Sequence, residues 1–369
     1  MSAELTQGSG SEELTEENLV HTPGIASRFV RLGSGAKAHY MASGDSGPAV
    51  ILLHGGAAGA SSTLGWRYLP QFLGANGFRV YCPDLPGYGL TDPGLAGQAY
   101  SKLGTIGERQ FLNDFADALC LDQFFLGGQG TGMELIVQYV MVHPERVPGM
   151  LLIDGRLWGL VDIAKRVVTK DGKWASDPDR PPLPSDSPEE ERIAAQMLGM
   201  TYKPSTVWPS LVTMRLKHAA FQVESFALRQ PANERIASDP NLQQLVSVKG
   251  RFDKLTIPAI YLFGLQDNNN PVENGFLQED LGLGNIQYFY IDECGHQGQN
   301  DQPEKFGQVS LEFFRDGKVA WKTAEWIGVS RRTPIKASLV EEPSGGFPLP
   351  DPGFYDQFTR EAKAAAVSR

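Results

Sequence analysis

The stretch LGGQGTG, residues 126–132, stands between an apolar run, DQFFL, and a helical pattern, GMELIVQYVMV. A strand, a tight glycine-rich turn and a helix in this order form the turn that presents a catalytic nucleophile at the top of a parallel sheet. Small residues at 127, 131 and 132 would let the strand and the helix approach closely. The spacing places Gln129 at the presenting position, although an amide is not a nucleophile. The backbone N–H of Gly130 is then expected to face a developing oxyanion.

Short apolar runs alternate with helical patterns on both sides of this turn. The alternation predicts an α/β fold with a mostly parallel, eight-stranded sheet flanked by helices. Several of the runs are almost wholly apolar, as expected of parallel strands that are covered on both faces. The first two runs are better explained as an antiparallel entry hairpin. The eight candidate strands are RFVRL, KAHYMA, AVILLH, FRVYCP, DQFFLG, GMLLID, PAIYLFG and IQYFYI.

The alternation divides the chain into four parts. Residues 1–25 are predicted to be a flexible acidic tail, since they are polar and lack apolar periodicity. Residues 26–156 and 255–316 would form the α/β core. Residues 157–254, proline-rich and then helical, are predicted to be a helical cap inserted after the sixth strand, above the sheet edge where such folds bind ligands. Residues 317–369 are a C-terminal extension rich in Pro, Gly and aromatic residues, which suggests a homodimer.

Composition restricts the class of partner. The chain has 369 residues and a net charge of −10, which argues against nucleic acid and anionic membranes. No apolar run is long enough to span a bilayer, and the N-terminus lacks the pattern of a secretion signal, so a cytoplasmic protein is expected. Three widely spaced cysteines argue against a disulfide framework and a zinc site. The expected partner is a small-molecule substrate, with neither a metal nor an organic cofactor.

Further candidate residues follow other predicted strands. Gly55 and Gly56 come directly after AVILLH, where a loop contributes an oxyanion donor in hydrolytic folds of this kind. Asp267 follows PAIYLFG, and His296 follows IQYFYI. The chain order of nucleophile, acid and histidine fits a catalytic triad, in which the carboxylate sets the tautomer of the imidazole. Asp154, after GMLLID, is a second candidate for the acid. A nucleotide-binding glycine fingerprint at residues 127–132 is the rival interpretation, but it lacks the acidic residue that should follow.

Between about Arg28 and Phe314 the chain resembles the α/β-hydrolase fold. More narrowly, it is similar to the carbon–carbon bond hydrolases that act on products of aromatic-ring meta-cleavage. The resemblance rests on five blocks. These are LLHGGAAGASSTLGWRYLPQFLGANGFRVYCPDLPGYGLTDP, the glycine-rich turn, HPERVPGMLLIDG, FGLQD and ECGHQGQNDQPEKF.

The resemblance implies roles for particular residues. The loop of Gly55 and Gly56 matches the oxyanion glycines of the family, and Asp267 and His296 match its acid and base. Arg215, in YKPSTVWPSLVTMRLKHAA, matches the arginine that holds a substrate carboxylate. The chain departs from the family at three positions. They are Gln129 in place of serine, Gly128 in place of asparagine or histidine, and Gln297 in place of tryptophan. The predicted pocket-lining residues are Gly128, Gln297 and Trp158.

These features predict an enzyme that acts on a carbonyl-containing small molecule, aromatic or polyketide-like. His296 and Asp267 would provide general-base chemistry, while Gln129 would orient a water or the substrate. Two reaction types remain open at this point: hydrolysis of a C–C, ester or lactone bond, and a non-hydrolytic lyase, isomerase or cyclase step. The alternative is a ligand-binding or receptor-like member of the fold without turnover.

Overall fold

The computed structural model describes residues 15–92, 94–156, 184, 186–248 and 250–367. Within these residues the chain forms one eight-stranded sheet in the order β1-β2-β4-β3-β5-β6-β7-β8, which confirms the predicted fold class. The pairing of β1 with β2 and of β2 with β4 is antiparallel, and every other pairing is parallel. The strands are β1 (Ala26–Arg31), β2 (Lys37–Ser43), β3 (Ala49–Leu53), β4 (Arg79–Pro83), β5 (Phe125–Gln129), β6 (Met150–Ile153), β7 (Ala259–Gly264) and β8 (Ile286–Ile291).

Helices cover both faces of the sheet. Alternate residues of β3 therefore belong to different apolar clusters, Ile51 and Leu53 on one face and Val50 and Leu52 on the other. The helices are α1 (Ser62–Gly65), α2 (Leu69–Ala75), α3 (Leu95–Ser101), α4 (Thr105–Ala118), α5 (Thr131–Val140), α6 (Glu189–Gly199), α7 (Pro209–Ser238), α8 (Pro240–Val246), α9 (Val272–Glu279), α10 (Gly298–Asp301), α11 (Pro303–Asp316), α12 (Trp321–Ile327) and α13 (Arg360–Val367). Short 3-10 turns occupy Glu16–Asn18, Pro144–Arg146, Pro204–Thr206, Phe252–Lys254 and Pro352–Phe358.

The insertion after β6 is helical where it is described. Helices α6, α7 and α8 lie between β6 and β7, and α6 packs against α7. The first part of the predicted cap, residues 157–183, lies outside the described residues. Leu211 and Met214 of α7 join the apolar cluster on one face of the sheet. Helix α7 is therefore attached to the core.

Both ends of the described chain pack against the α/β core. Near the N-terminus Leu19 is 5% exposed, so the predicted tail over residues 1–25 is shorter at its C-terminal end. In the C-terminal extension, Ser330 and Thr333 donate hydrogen bonds to the buried carboxylate of Glu279, each at 2.8 Å. Val329 also bridges to Phe289 of β8. Among the described helices, none combines the length and the apolar character required to cross a bilayer.

Candidate active site at the carboxyl edge of the sheet

The turn between β5 and α5 consists of a single residue, Gly130. Strand β5 ends at Gln129 and helix α5 begins at Thr131. Gly130 has φ 55° and ψ −120°, a backbone conformation that side-chain-bearing residues rarely adopt, whereas Gln129 is not among the residues with positive φ. The strained, presenting position of the turn is therefore Gly130. The prediction that Gln129 occupies it is wrong by one residue.

The presenting position faces the predicted catalytic histidine. A Cβ atom built on Gly130 would lie 3.4 Å from Nε2 of His296 and 3.9 Å from Cα of Gly55. A side chain at this position would therefore stand within reach of the imidazole. Glycine leaves that volume unfilled, and we call it the open elbow position.

The glycines two residues away on either side explain how the turn fits. A Cβ on Gly128 would lie 2.6 Å from the carbonyl carbon of Gly132, and a Cβ on Gly132 would lie 2.5 Å from the carbonyl oxygen of Leu53. The small residues that allow close approach are thus Gly128 and Gly132, symmetric about Gly130. Since Gly128 faces α5, the prediction that it lines the substrate pocket is wrong.

His296 and Asp267 form the predicted dyad. The imidazole Nδ1 lies 2.7 Å from Oδ2 of Asp267, and the Asp267 side chain is fully buried. The other carboxylate oxygen accepts hydrogen bonds from the backbone N–H groups of Asn269 and Asn270, at 2.8 and 2.7 Å. A carboxylate on Nδ1 favours the tautomer that carries its proton there. Nε2 is then the unprotonated nitrogen, and it lies 3.4 Å from the Cβ position at Gly130.

Asp154 does not take the acid role. Its Oδ1 accepts a hydrogen bond from the backbone N–H of Gly264 at 2.8 Å, and it makes no bond to the imidazole. Burial, together with the nearby carboxylate of Asp267, raises the pKa of Asp154 well above its usual value. Asp154 therefore has no contact through which it could orient the imidazole of His296.

Gln129 connects two loops of the site. Its Nε2 donates a 2.9 Å hydrogen bond to the carbonyl oxygen of His296, and its side chain is buried. On the other side, a Cβ on Gly55 would lie 2.5 Å from Oε1 of Gln129, so glycine is required for this approach. The side chain of Gln129 contacts the backbone of the histidine loop rather than the imidazole nitrogen. Gln129 therefore lies directly before the presenting position and braces the histidine loop.

The predicted oxyanion donors need one correction. The N–H of Gly130 donates to the carbonyl of Ile153 at 2.9 Å within the sheet, so it does not face a ligand. The residue after the presenting position is Thr131, whose N–H has no acceptor inside the helix because it begins α5. A Cβ on Gly56 would lie 2.7 Å from Oγ1 of Thr131. Thr131 and Gly56 are therefore neighbours, and the N–H of Thr131 is a candidate donor that sequence reasoning missed.

His54 fixes the start of the loop that carries Gly55 and Gly56. Its Nδ1 lies 2.8 Å from the carbonyl oxygen of Gly55, and its Nε2 accepts the N–H of Leu85 at 3.1 Å. Burial lowers the pKa of His54, which keeps the ring neutral and able to make both bonds. His54 therefore has a structural role beneath the loop.

Arg215 is buried between the cap and this loop. Its Nε donates to the carbonyl of Ala58 at 3.0 Å and its Nη2 to Oε1 of Gln196 at 3.3 Å. No described carboxylate contacts the guanidinium, and burial lowers the pKa of Arg215 to about 10. A buried cation with only neutral partners suits an anionic ligand group.

Two residues predicted to line the substrate pocket remain, Gln297 and Trp158. Gln297 is half-buried and its backbone N–H donates to the carbonyl of Met200 at the end of α6, at 3.0 Å. Its Oε1 accepts a 3.4 Å hydrogen bond from Asn300. It therefore joins the histidine loop to the cap. Trp158 lies outside the described residues.

Comparison with known proteins identifies the family. The family model for the alpha/beta hydrolase fold matches residues 48–303. This match spans more than half of the chain, so the chain belongs to the α/β-hydrolase family and is an enzyme of that family. The matched region contains both loops of the site, the elbow, the dyad and Arg215.

The sequence identity between this chain and individual relatives is low. The 2-hydroxy-6-oxononadienedioate/2-hydroxy-6-oxononatrienedioate hydrolase of Paraburkholderia phymatum is 25% identical, over 80% of this chain and 98% of its own. A hydrolase of the same name from Pseudomonas putida is 26% identical, over 79% and 96% of the two chains. Among solved structures, a meta-cleavage product hydrolase from Pseudomonas fluorescens has a TM-score of 0.60 at 20% identity, covering 82% of this chain and 100% of its own. The 2-hydroxy-6-oxo-6-phenylhexa-2,4-dienoate hydrolase from a Rhodococcus species has a TM-score of 0.59 at 21% identity, covering 79% and 99%.

Proposed function

We propose that this enzyme hydrolyses a carbonyl-containing small molecule without a covalent enzyme intermediate. The observation that carries the proposal is Gly130, which stands at the presenting position and leaves the space next to Nε2 of His296 unfilled. An enzyme with this arrangement has its general base but supplies no nucleophile from the elbow. A water molecule in the open elbow position is therefore the proposed nucleophile.

The reaction follows from the orientation of the dyad. His296 takes a proton from the water through Nε2, while Asp267 stabilises the resulting imidazolium through Nδ1. The hydroxide adds to the substrate carbonyl carbon, and the N–H groups of Gly56 and Thr131 stabilise the oxyanion. When the oxyanion collapses, the bond to the leaving carbon or oxygen breaks and its electron pair departs with that atom. The imidazolium of His296 returns the proton to the leaving group.

The proposed substrate carries a carboxylate and a ketone or ester. The relatives are named as hydrolases of dienedioates, which are products of aromatic-ring cleavage and bear carboxylate groups. Arg215 is buried beside the oxyanion loop and has no acidic partner among the described residues, so it is the proposed contact for that carboxylate. A carboxylate held at Arg215 would help to orient the carbonyl toward Gly56 and Thr131.

The expected rate enhancement suits an activated substrate. General-base catalysis contributes about two to four orders of magnitude. One oxyanion donor contributes about two to three more. These contributions favour a ketone or ester with a stabilised leaving group over an unactivated amide.

Replacement of the base tests the proposal. His296→Ala is expected to lower kcat for 2-hydroxy-6-oxononadienedioate by about two to four orders of magnitude, because the water loses its base. The matched control is His143→Ala, since His143 follows the far end of α5 and pairs only loosely with Glu145, at 3.8 Å. Full turnover by His296→Ala contradicts the mechanism. A wild-type protein that binds the dienedioate without converting it favours the receptor-like alternative.

A further inference from the structure

Helix α7 turns an unusually polar face toward the core. Arg215, His218, Gln222 and Ser225 are all buried, and their spacing of three or four residues places them on one face of the helix. Buried polar groups are costly unless they are hydrogen-bonded, so their partners indicate what this face recognises. Most of these partners lie in the loop that carries Gly56.

Gln222 makes two hydrogen bonds to this loop. Its Oε1 accepts the backbone N–H of Gly59 at 2.8 Å, and its Nε2 donates to the carbonyl of Ala60 at 3.1 Å. The side-chain amide thus pairs with the backbone of two consecutive residues of the loop. Arg215 adds a third bond, to the carbonyl of Ala58.

The loop approaches the helix too closely for a side chain. Gly59 has φ 73°, and a Cβ built on it would lie 2.4 Å from the carbonyl oxygen of Arg215. The backbone of the loop therefore rests directly on α7 at this residue. The position of Gly59 depends on the helix and on the side chain of Gln222.

A second connection reaches Gly56 itself. Arg229, in the C-terminal third of α7, donates from Nη1 to the hydroxyl of Tyr88 at 2.7 Å, and that hydroxyl donates to the carbonyl of Gly56 at 2.9 Å. The buried carboxylate of Glu108 holds the guanidinium of Arg229 at 3.0 Å. The cap helix therefore holds the loop at both ends, through Gly56 and through residues 58–60.

We propose that Gln222 is a positioning residue that sets the geometry of the oxyanion loop from the cap. By fixing Gly59 and Ala60, it determines where the N–H of Gly56 points. Arg215, the proposed carboxylate contact, is hydrogen-bonded to the same loop. One helix therefore both binds the substrate carboxylate and holds the oxyanion loop. The effect of Gln222 on the loop stands on geometry alone, whereas its effect on catalysis rests on the proposed function.

Hydrogen–deuterium exchange tests the effect on the loop without any substrate. Gln222→Met keeps the approximate length of the side chain but removes both hydrogen bonds. Backbone exchange in residues 54–62 is expected to become at least about tenfold faster, because the N–H of Gly59 loses its acceptor. The control is Gln230→Met, since Gln230 is an exposed glutamine on the same helix. Unchanged exchange in a folded Gln222→Met overturns the proposal.

Kinetics test the consequence for catalysis. With 2-hydroxy-6-oxononadienedioate, Gln222→Met is expected to lower kcat about 10- to 100-fold and to change KM less than about threefold, since a displaced oxyanion donor acts mainly in the transition state. Gln222→Glu keeps the acceptor for Gly59 but loses the donor to Ala60, so an intermediate kcat is expected. It also replaces Gln222→Met if that variant does not fold.

The outcomes separate this inference from the proposed function. Faster loop exchange in Gln222→Met together with an inactive wild type supports the loop contact and contradicts the proposed function. Faster exchange with an unchanged kcat in an active enzyme overturns the catalytic role of Gln222. A rise in KM alone also overturns it, because it would assign Gln222 to substrate binding.

Discussion

Gly130→Ser places a hydroxyl where the structure leaves space for one. The new Cβ would meet Nε2 of His296 at 3.4 Å and Cα of Gly55 at 3.9 Å, which are ordinary contact distances. The added Oγ would then lie within hydrogen-bond reach of the imidazole. The dyad is expected to activate this hydroxyl as it would activate a water, which turns the elbow into a covalent nucleophile.

The cost of Gly130→Ser comes from the backbone. A serine must adopt φ 55°, and a residue held in such a region costs about 1–3 kcal/mol. For a domain of this size, that corresponds to a drop in Tm of about 2–10 °C. The variant should therefore fold, and the melting temperature should be measured first.

The assay is labelling with a fluorophosphonate, followed by the intact mass of the protein. Gly130→Ser is expected to gain one phosphonyl adduct, while the wild type gains none. Gln129→Ser is the matched control, because the side chain at 129 contacts the carbonyl of His296 rather than Nε2. A folded Gly130→Ser that stays unlabelled, or a labelled Gln129→Ser, would refute the assignment of Gly130 to the presenting position.

Three further changes test other parts of the site. Asp267→Asn should lower kcat by up to about 10⁴-fold, because the amide no longer stabilises the imidazolium; a tenfold loss or less would exclude this role. Arg215→Met should raise KM for the dienedioate about 10- to 100-fold more than KM for its neutral diester, as steady-state kinetics would show. Among the described residues neither ring nitrogen of His218 has a hydrogen-bond partner, and burial lowers the pKa of His218 from 6.5 to about 4. As pH falls from 6.5 to 4, His218 is therefore protonated in the unfolded chain before it is protonated in the folded protein, which lowers the free energy of unfolding by up to about 3 kcal/mol. Denaturant titrations should show that His218→Leu removes this pH dependence of stability.

The fold was predictable because its strands are nearly continuous apolar runs. All residues of β3, β6, β7 and β8 are buried, and such runs arise when helices cover both faces of a parallel sheet. The dyad was predictable for a related reason. Asp267 and His296 follow β7 and β8, and the carboxyl ends of parallel strands meet at one edge of the sheet.

The register of the elbow was misread, although the glycine pattern distinguishes the two possible frames. The frame centred on Gln129 has Gly127 and Thr131 two residues away, whereas the frame centred on Gly130 has glycine on both sides, at 128 and 132. The first frame offers a side chain at the presenting position, whereas the second offers none. The backbone dihedral angles agree with the second frame, since the residue of this turn with positive φ is Gly130.

The contact between the cap and the oxyanion loop could also not be predicted from the sequence. Gln222 and Gly59 are 163 residues apart, and no local periodicity connects them. Glutamine side chains are mostly exposed, so the sequence alone does not predict that Gln222 is buried. Tertiary packing alone brings its amide to the backbone of the loop.

The central claim is that the nucleophile is a water in the open elbow position, and Gly130→Ala tests it most directly. The added methyl group would stand 3.4 Å from Nε2 of His296, so it would occupy the place of the water and leave the dyad intact. The account predicts that kcat for 2-hydroxy-6-oxononadienedioate falls at least about 100-fold, as for loss of general-base catalysis, with little change in KM. A folded Gly130→Ala that retains the kcat of the wild type would contradict the account.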